Sequence, residues 1–156
     1  GPHAAGIMLA YYQDYLPSLV SFNSNVRTKD STSAGTLITK LKSSTSSPTS
    51  TLPQDVAVGT ATFLNNYNNA KSYITCFSSA GGTWNTATNK ISSSRPVCIG
   101  LSGAGGLHKY GWHWVTAYAY GTDADGNGYY RCNDNWGASA VTIRTSWTIG
   151  IAYLNQ

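Results

Sequence analysis

The sequence predicts an α+β fold, with an N-terminal helical lobe packed on an antiparallel β-sheet. Up to about residue 95, most apolar residues recur at the spacing of helix faces. After Arg95 and Pro96, short apolar runs alternate with turn signals, as strands and hairpins do. Helices before strands is an order typical of α+β domains. The 156 residues, 41% of them hydrophobic, suit one domain with a real core, so we expect a single domain over 1–156.

Four helices are expected, and the clearest is the first. Its residues Ala5, Leu9, Tyr12 and Leu16 are spaced so that they share one face. Pro2 suits a first helical turn, where its missing N–H costs nothing. The predicted helices are Pro2–Leu16, Ser33–Leu41, Pro53–Tyr67 and Thr83–Ile91. In the last three, the residues expected to face inward are Leu37, Ile38 and Leu41; Val56, Thr60, Phe63 and Tyr67; and Trp84 and Ile91.

The strands are predicted from apolar runs bounded by turn residues. They are Ser72–Ser78, Val97–Leu101, Trp112–Tyr120, Tyr129–Asn133, Ala140–Thr145 and Thr148–Leu154. Two further segments are expected to be exposed loops, because one is almost wholly Ser and Thr and the other is rich in Gly. These loops are Ser43–Thr51 and Ser102–Leu107.

Charge and hydropathy exclude two classes of partner. The ten basic residues are scattered, giving a net charge of +4 without a basic run, so we expect no nucleic-acid binding. No apolar run approaches the about 20 residues that span a membrane, and no signal peptide is recognisable. Only 10% of the residues are charged, against roughly a quarter in average globular proteins. That composition favours a secreted or cell-surface bacterial protein.

Two segments about twenty residues apart carry the candidate site. Gly111–Gly121 places His113 at the mouth of an aromatic strand, and Asn133–Gly137 places Asp134 just before a Trp-Gly turn. A hairpin joining the two strands would bring His113 close to Asp134. A carboxylate on one imidazole nitrogen orients the ring and leaves the other nitrogen to serve a nucleophile. The alternatives are a histidine that only ends a strand and an aspartate that only caps a turn.

The segment between these two strands has two possible interpretations. Asp123–Gly128 begins like the Asp-x-Asp-x-Asn-Gly of a calcium loop. However, the twelfth loop position would be Asp134, and Asp-Gly and Asn-Gly are also strong hairpin signals. We therefore favour a turn and predict neither a metal ion nor another cofactor.

Four segments occur together in an order that resembles a known family. They are Gly1–Tyr12 (Gly-Pro-x-Ala-Ala-x-x-Met-Leu-Ala-Tyr-Tyr), Arg95–Leu101 (Arg-Pro-Val-x-Ile-Gly-Leu), Gly111–Tyr120 (opening Gly-x-His-Trp-Val) and Asn133–Gly137 (Asn-Asp-x-Trp-Gly). The chain resembles the papain-like cysteine peptidases, in particular the small bacterial branch related to bacteriocin-processing peptidases. The resemblance implies a papain-like fold, His113 as general base, and Asp134 as the group that orients it.

The same resemblance implies that the nucleophilic cysteine lies directly before Gly1. The start of a helix suits that cysteine, because free N–H groups and the positive end of the helix dipole lower the pKa of a thiol. A backbone N–H at that turn can also face the oxyanion. In the family, a glutamine further upstream usually contributes to the same oxyanion hole. Gly1 and Pro2 would then line the site, together with Asn135 and with Trp136, which would cover the pair.

The three cysteines in the chain are less suited to be the nucleophile. Cys76, Cys98 and Cys132 stand in strand-like apolar contexts, where cysteine usually acts as a small buried hydrophobe. Cys132 remains an alternative, because it is two residues from Asp134 and shares its face of the strand. Two other histidines are considered: His108 beside the Gly-rich loop and His3 in the first helical turn. Either can lie in the cleft or be an ordinary solvated residue.

The expected function is therefore a cysteine peptidase-type hydrolase that acts on peptide or amide bonds of a peptide or protein substrate. By itself, the chain from Gly1 is predicted to be inactive, since it has no cysteine at the helix start. Two alternatives remain open: an inactive peptidase-like binding module, and acyl transfer of the amidase or transglutaminase type.

Overall fold

The fold is of the α+β class that the sequence predicts, with most helices before most strands. The computed structural model describes residues 1–28, 34–45, 52–70, 75–79 and 83–155, with the backbone alone at 34, 75–79 and 105. The described helices are α1 Pro2–Tyr15, α2 Ala34–Ser44, α3 Pro53–Tyr67 and α4 Thr83–Ser92. The strands are β1 Thr75–Ser79, β2 Val97–Leu101, β3 His113–Thr122, β4 Gly128–Asn133, β5 Val141–Arg144 and β6 Thr148–Leu154.

Helix α1 forms where its apolar spacing predicts. Ala5, Leu9 and Tyr12 are almost fully buried, and the helix ends one residue before Leu16, whose N–H donates to the carbonyl of Tyr12. Helix α3 has the predicted bounds, with Val56, Thr60 and Phe63 buried along its inner face. Helical periodicity therefore identified the buried side of α1 and of α3, although Leu16 and Tyr67 are only partly buried.

Helix α2 is longer than predicted at its C-terminal end. Ser43 and Ser44 were expected in a loop, but both lie in the last turn of the helix. Their hydroxyls donate to the carbonyl of Lys40, and the Thr45 hydroxyl donates to the carbonyl of Leu41. Hydroxyl groups that bond the preceding turn allow serine and threonine to complete a helix that their composition alone disfavours. The rest of the predicted loop, 46–51, lies outside the described residues.

The described strands form one antiparallel sheet in the order β1-β6-β2-β3-β4-β5. The predicted hairpin is confirmed, since β3 pairs with β4 in antiparallel register. Its turn is closed by Asp123, whose carboxylate accepts from the N–H groups of Asp125 and Asn127. Gly126 completes the turn with a φ of 80°, a left-handed conformation that glycine adopts without strain. These contacts account for the Asp123–Asn127 segment as a turn.

Helices cover both faces of the sheet. Cys98 and Ala152 belong to the buried cluster formed with α1, α2 and α3. Their strand neighbours Ile99 and Ile151 belong to a second cluster, which contains Ala87 and Ile91 of α4. Because successive strand residues point to opposite faces, α4 lies on the face opposite the other three helices. The sequence did not predict this placement.

Two hydrogen bonds join α1 to strand β3 and to the residue before β2. The Thr116 hydroxyl donates to the carbonyl of Ala4 at 2.9 Å, and the Tyr12 hydroxyl donates to the carbonyl of Pro96 at 3.3 Å. The first turn of α1 is therefore held beside β3. As for membranes, no helix in the described part of the chain has both the length and the hydropathy to cross one.

The contact between α2 and α3 gives a stability prediction with a matched control. A Cβ at Gly59 would lie 2.7 Å from Thr45 Oγ1 and 3.0 Å from Thr45 Cα, whereas a Cβ at Gly35 would meet nothing within 4 Å. Gly59→Ala is therefore expected to lower the free energy of unfolding by about 1–3 kcal/mol through overpacking. Gly35→Ala should be neutral or stabilise by up to about 1 kcal/mol, because alanine favours helix. Urea denaturation measures both; equal effects of the two substitutions would contradict this packing.

Candidate active site

His113 opens β3, where the sheet and the first turn of α1 come together. It pairs with Leu101 across the β2–β3 ladder and is half-buried. Its pKa is lowered below the ordinary 6.5, because burial disfavours the imidazolium. A hydrogen bond to the Asp134 carbonyl and the charge of Asp134 oppose this shift. His113 is therefore neutral at pH 7 and available as a base.

The structure brings His113 and Asp134 together, but not through the carboxylate. His113 Nε2 lies 2.6 Å from the backbone carbonyl oxygen of Asp134. A carbonyl oxygen only accepts, so Nε2 carries the proton and Nδ1 keeps the lone pair. Among the described residues no ion pair joins the Asp134 carboxylate to this imidazole. The expectation of a carboxylate–imidazole contact was wrong in this detail, although the orientation that it would give the ring is supplied by the carbonyl.

The Asp134 carboxylate instead holds the turn that follows β4. Its Oδ1 accepts from the N–H groups of Trp136 and Ala138, both at 2.9 Å, and its Oδ2 accepts from the Tyr110 hydroxyl at 3.2 Å. The residue is only 2% exposed. Burial raises the pKa of its carboxyl, but these donors and the charge of Lys109 outweigh burial, and the net pKa lies below the ordinary value. The turn-capping interpretation of Asp134 is therefore correct for its side chain.

Backbone conformation explains why the carbonyl rather than the carboxylate faces the histidine. Asn135 has a φ of 62° and Gly137 a φ of 104°, so the chain reverses sharply after Asp134. Asparagine tolerates the left-handed region better than most residues. The turn is fixed by the side chain and the backbone of Asn135, since its Nδ2 donates to the Trp114 carbonyl at 2.6 Å and its backbone N–H donates to Asn133 Oδ1. Asn135 thus acts on the turn, and none of the described contacts joins it to His113.

Two aromatic rings contact the imidazole. Trp136 lies 4.7 Å from His113 between ring centroids and is 60% exposed, so it covers the histidine from the solvent side as expected. Tyr110 stacks on His113 at 5.6 Å with 9° between the ring planes. The sequence analysis missed Tyr110, because its motif began at Gly111. The signal was that glycine: its φ of 62° turns the chain so that Tyr110 folds back over the histidine three residues later.

Gly1 and Pro2 lie at the start of α1, where they were predicted to line the site. Gly1 is the N-cap residue, and Pro2 occupies the first turn. The Gly1 nitrogen lies near both His113 and Cys98. A residue bonded to the Gly1 nitrogen through its carbonyl carbon has its Cα about 3.8 Å from the Gly1 Cα. Its side chain would therefore start in the neighbourhood of His113.

The cysteines whose side chains are described are buried and poorly suited to be nucleophiles. Cys98 and Cys132 are both fully buried and free of disulfides. Burial raises the pKa of Cys98 to about 12, and it also raises the pKa of Cys132. Neither thiol becomes a thiolate near neutral pH, which argues against Cys132 as the alternative nucleophile. Cys76 is in β1, and the expectation for its side chain lies outside the described residues.

The remaining histidines do not join the pair. His108 Nδ1 accepts from the N–H of Tyr110 at 3.3 Å, and its ring packs on Trp147. His3 is exposed in the first turn of α1. Within the described ranges, no group of three or more His, Cys, Asp or Glu side chains is arranged to hold a metal ion.

The site therefore consists of a neutral imidazole with Nε2 bonded to a carbonyl, two rings against it and a helix start nearby. In the part of the chain that the structure describes, no group is bonded to its Nδ1. Such an arrangement can take a proton from a nucleophile on the Nδ1 side and return it to a leaving group. No protein-family model, curated protein or solved structure matches this chain.

Proposed function

We propose that this chain carries the general base and its orienting turn in a cysteine peptidase-type hydrolase with a papain-like fold. The observation that carries the proposal is the position of His113. Its Nε2–H is held by the Asp134 carbonyl, no described residue is hydrogen-bonded to its Nδ1, and the nitrogen that opens α1 lies nearby. The nucleophile is the thiol of a cysteine directly before Gly1 in the parent protein. The low content of charged residues favours a secreted or cell-surface location in a bacterium.

In this proposal the reaction is acyl transfer from a peptide or amide bond. The thiol gives its proton to His113 Nδ1, and the thiolate attacks the carbonyl carbon. The imidazolium then returns the proton to the leaving amine, and water hydrolyses the thioester with His113 again as base. The start of α1 favours the thiolate, because its N–H groups and dipole present positive charge. Throughout, the Asp134 carbonyl keeps the imidazole in one orientation.

The test uses the full-length parent protein and a library of fluorogenic peptides. The residue before Gly1 is expected to be cysteine, and its replacement by serine should lower kcat/KM by at least about 10³-fold. Cys98→Ala and Cys132→Ala are the matched controls, and each should keep most of the activity of a folded enzyme. A residue other than cysteine before Gly1, or loss of activity only in Cys132→Ala, would contradict the proposal.

Product analysis separates the alternatives to a peptidase. Release of two peptide fragments supports peptidase chemistry, whereas release of ammonia or incorporation of an added amine supports amidase or transglutaminase chemistry. Peptide binding without any product would identify a binding module. Amidase or transglutaminase products, or binding without any product, would each contradict the proposed peptidase function.

A further inference from the structure

The Tyr110 side chain contacts both His113 and the carboxylate of Asp134. Its ring lies parallel to the imidazole, with 5.6 Å between centroids, and its hydroxyl lies 3.2 Å from Asp134 Oδ2. The same ring packs against Trp136 at 5.1 Å. Tyr110 is 8% exposed, so these contacts are made inside the protein rather than at its surface.

The direction of the Tyr110–Asp134 hydrogen bond follows from the chemistry of both groups. The ionised carboxylate only accepts, so the phenol must donate. Burial first, and then the hydrogen bond to Asp134 and its charge, together raise the pKa of Tyr110 to about 12. The hydroxyl therefore keeps its proton at neutral pH. The Nζ of Lys109 lies over the Tyr110 ring, 5.1 Å from the ring centroid.

The backbone around Tyr110 is fixed independently of these contacts. Its N–H donates to His108 Nδ1, and the following residue, Gly111, adopts a φ of 62°. A Cβ at Gly111 would meet nothing within 4 Å, so glycine is required there by conformation and not by space. The ring and hydroxyl of Tyr110 are thus presented by a backbone that is held in place.

We infer that Tyr110 is a positioning residue for His113. Its hydroxyl fixes the Asp134 carboxylate, which holds the turn whose carbonyl accepts from Nε2, and its ring sets the plane of the imidazole. Nδ1 is thereby aimed toward the start of α1. The effect on the imidazole is independent of the reaction, whereas the effect on rate rests on the proposed function.

The experiment uses two variants that remove different parts of Tyr110. Tyr110→Phe removes the hydroxyl and keeps the ring, and Tyr110→Leu removes both. The matched control is Tyr118→Phe. Tyr118 is on the same strand as His113, and the substitution removes a hydroxyl that donates to the Ser139 carbonyl at an exposed position. The first readout is the ¹⁵N NMR spectrum of the His113 ring, which reports the tautomer without any substrate.

The wild type is expected to show the Nε2–H tautomer alone. In Tyr110→Phe the fraction of the Nδ1–H tautomer should rise to at least twice the detection limit, and in Tyr110→Leu it should rise further. The spectrum of Tyr118→Phe should be the same as that of the wild type. In the parent enzyme, kcat should fall about 10-fold for Tyr110→Phe and about 100-fold for Tyr110→Leu, with KM within three-fold, since small misplacements of a catalytic group cost this much.

A wild-type ring spectrum in Tyr110→Phe, together with unchanged kcat, would overturn the inference. If Tyr110→Leu fails to fold, Tyr110→Phe decides alone, because it keeps the packing volume. A change of tautomer in Tyr110→Phe supports the positioning role even if the wild type hydrolyses no peptide. The absence of hydrolysis by the wild type would count against the proposed function only.

Discussion

Replacing His113 by alanine is expected to lower kcat/KM of the parent enzyme by about 10³-fold or more. General base catalysis alone contributes on the order of 10² to 10⁴. The loss should exceed that from general base catalysis alone, because in the proposed mechanism the same imidazole also stabilises the thiolate as an ion pair. The effect should fall on kcat, with KM little changed, since the histidine acts on the reacting atoms rather than on the rest of the substrate.

His3→Ala is the matched control for this substitution. His3 also lies at the start of α1, but it is exposed. Its removal should change kcat/KM by less than about three-fold, as expected for an exposed side chain. Similar losses in the two variants, or an active His113→Ala enzyme, would show that His113 is not the base.

Replacing Asp134 by alanine is expected to have the largest effect on stability, lowering the free energy of unfolding by about 3 kcal/mol or more. The substitution leaves three donors without their acceptor: the N–H groups of Trp136 and Ala138 and the hydroxyl of Tyr110. Each unsatisfied buried polar group costs roughly 1–3 kcal/mol. Activity should fall as well, because the turn then no longer presents its carbonyl to His113. Urea denaturation at pH 7 measures the change.

Asp134→Asn is the sharper comparison, because it keeps an acceptor oxygen and removes the charge. At pH 7 it should be destabilised by about 1 kcal/mol, the difference between a charged and a neutral acceptor. The folded state lowers the pKa of the Asp134 carboxyl below its unfolded value of about 3.9. The stability that the charge contributes is therefore complete above that pH and is lost as pH falls through the folded pKa. The gap between wild type and Asp134→Asn should close in acid; a constant gap from pH 7 to 3 would contradict the role of the carboxylate.

The helices and the hairpin were predictable because their signals are local. The period of α1 identified its buried face, and the Asp-Gly and Asn-Gly pairs identified the turn that places β4 beside β3. The meeting of His113 with the Asp134 region follows from that register. The end of α2 was missed because serine hydroxyls bonded back to Lys40, a local choice that composition does not reveal.

The details of the site depend on conformations that residue types only permit. The sequence shows an aspartate near a histidine, but which oxygen faces the ring depends on the left-handed φ of Asn135. The carboxylate accepts from the backbone N–H groups of Trp136 and Ala138 instead of from the imidazole. Tyr110 escaped detection for the same reason, since its return over His113 requires the positive φ of Gly111. The side of the sheet taken by α4 depends on packing between distant segments, which periodicity does not encode.

The central claim is that His113 activates a thiol at the start of α1. The most direct test is the pH dependence of iodoacetamide labelling of the cysteine before Gly1 in the parent protein, followed by mass spectrometry, with Cys98 and Cys132 as buried internal references. We predict rapid labelling that persists well below the ordinary thiol pKa of about 8.5 and that shifts to an ordinary thiol profile in His113→Ala. An ordinary profile that is the same in both proteins, or a parent protein without that cysteine, would contradict the account.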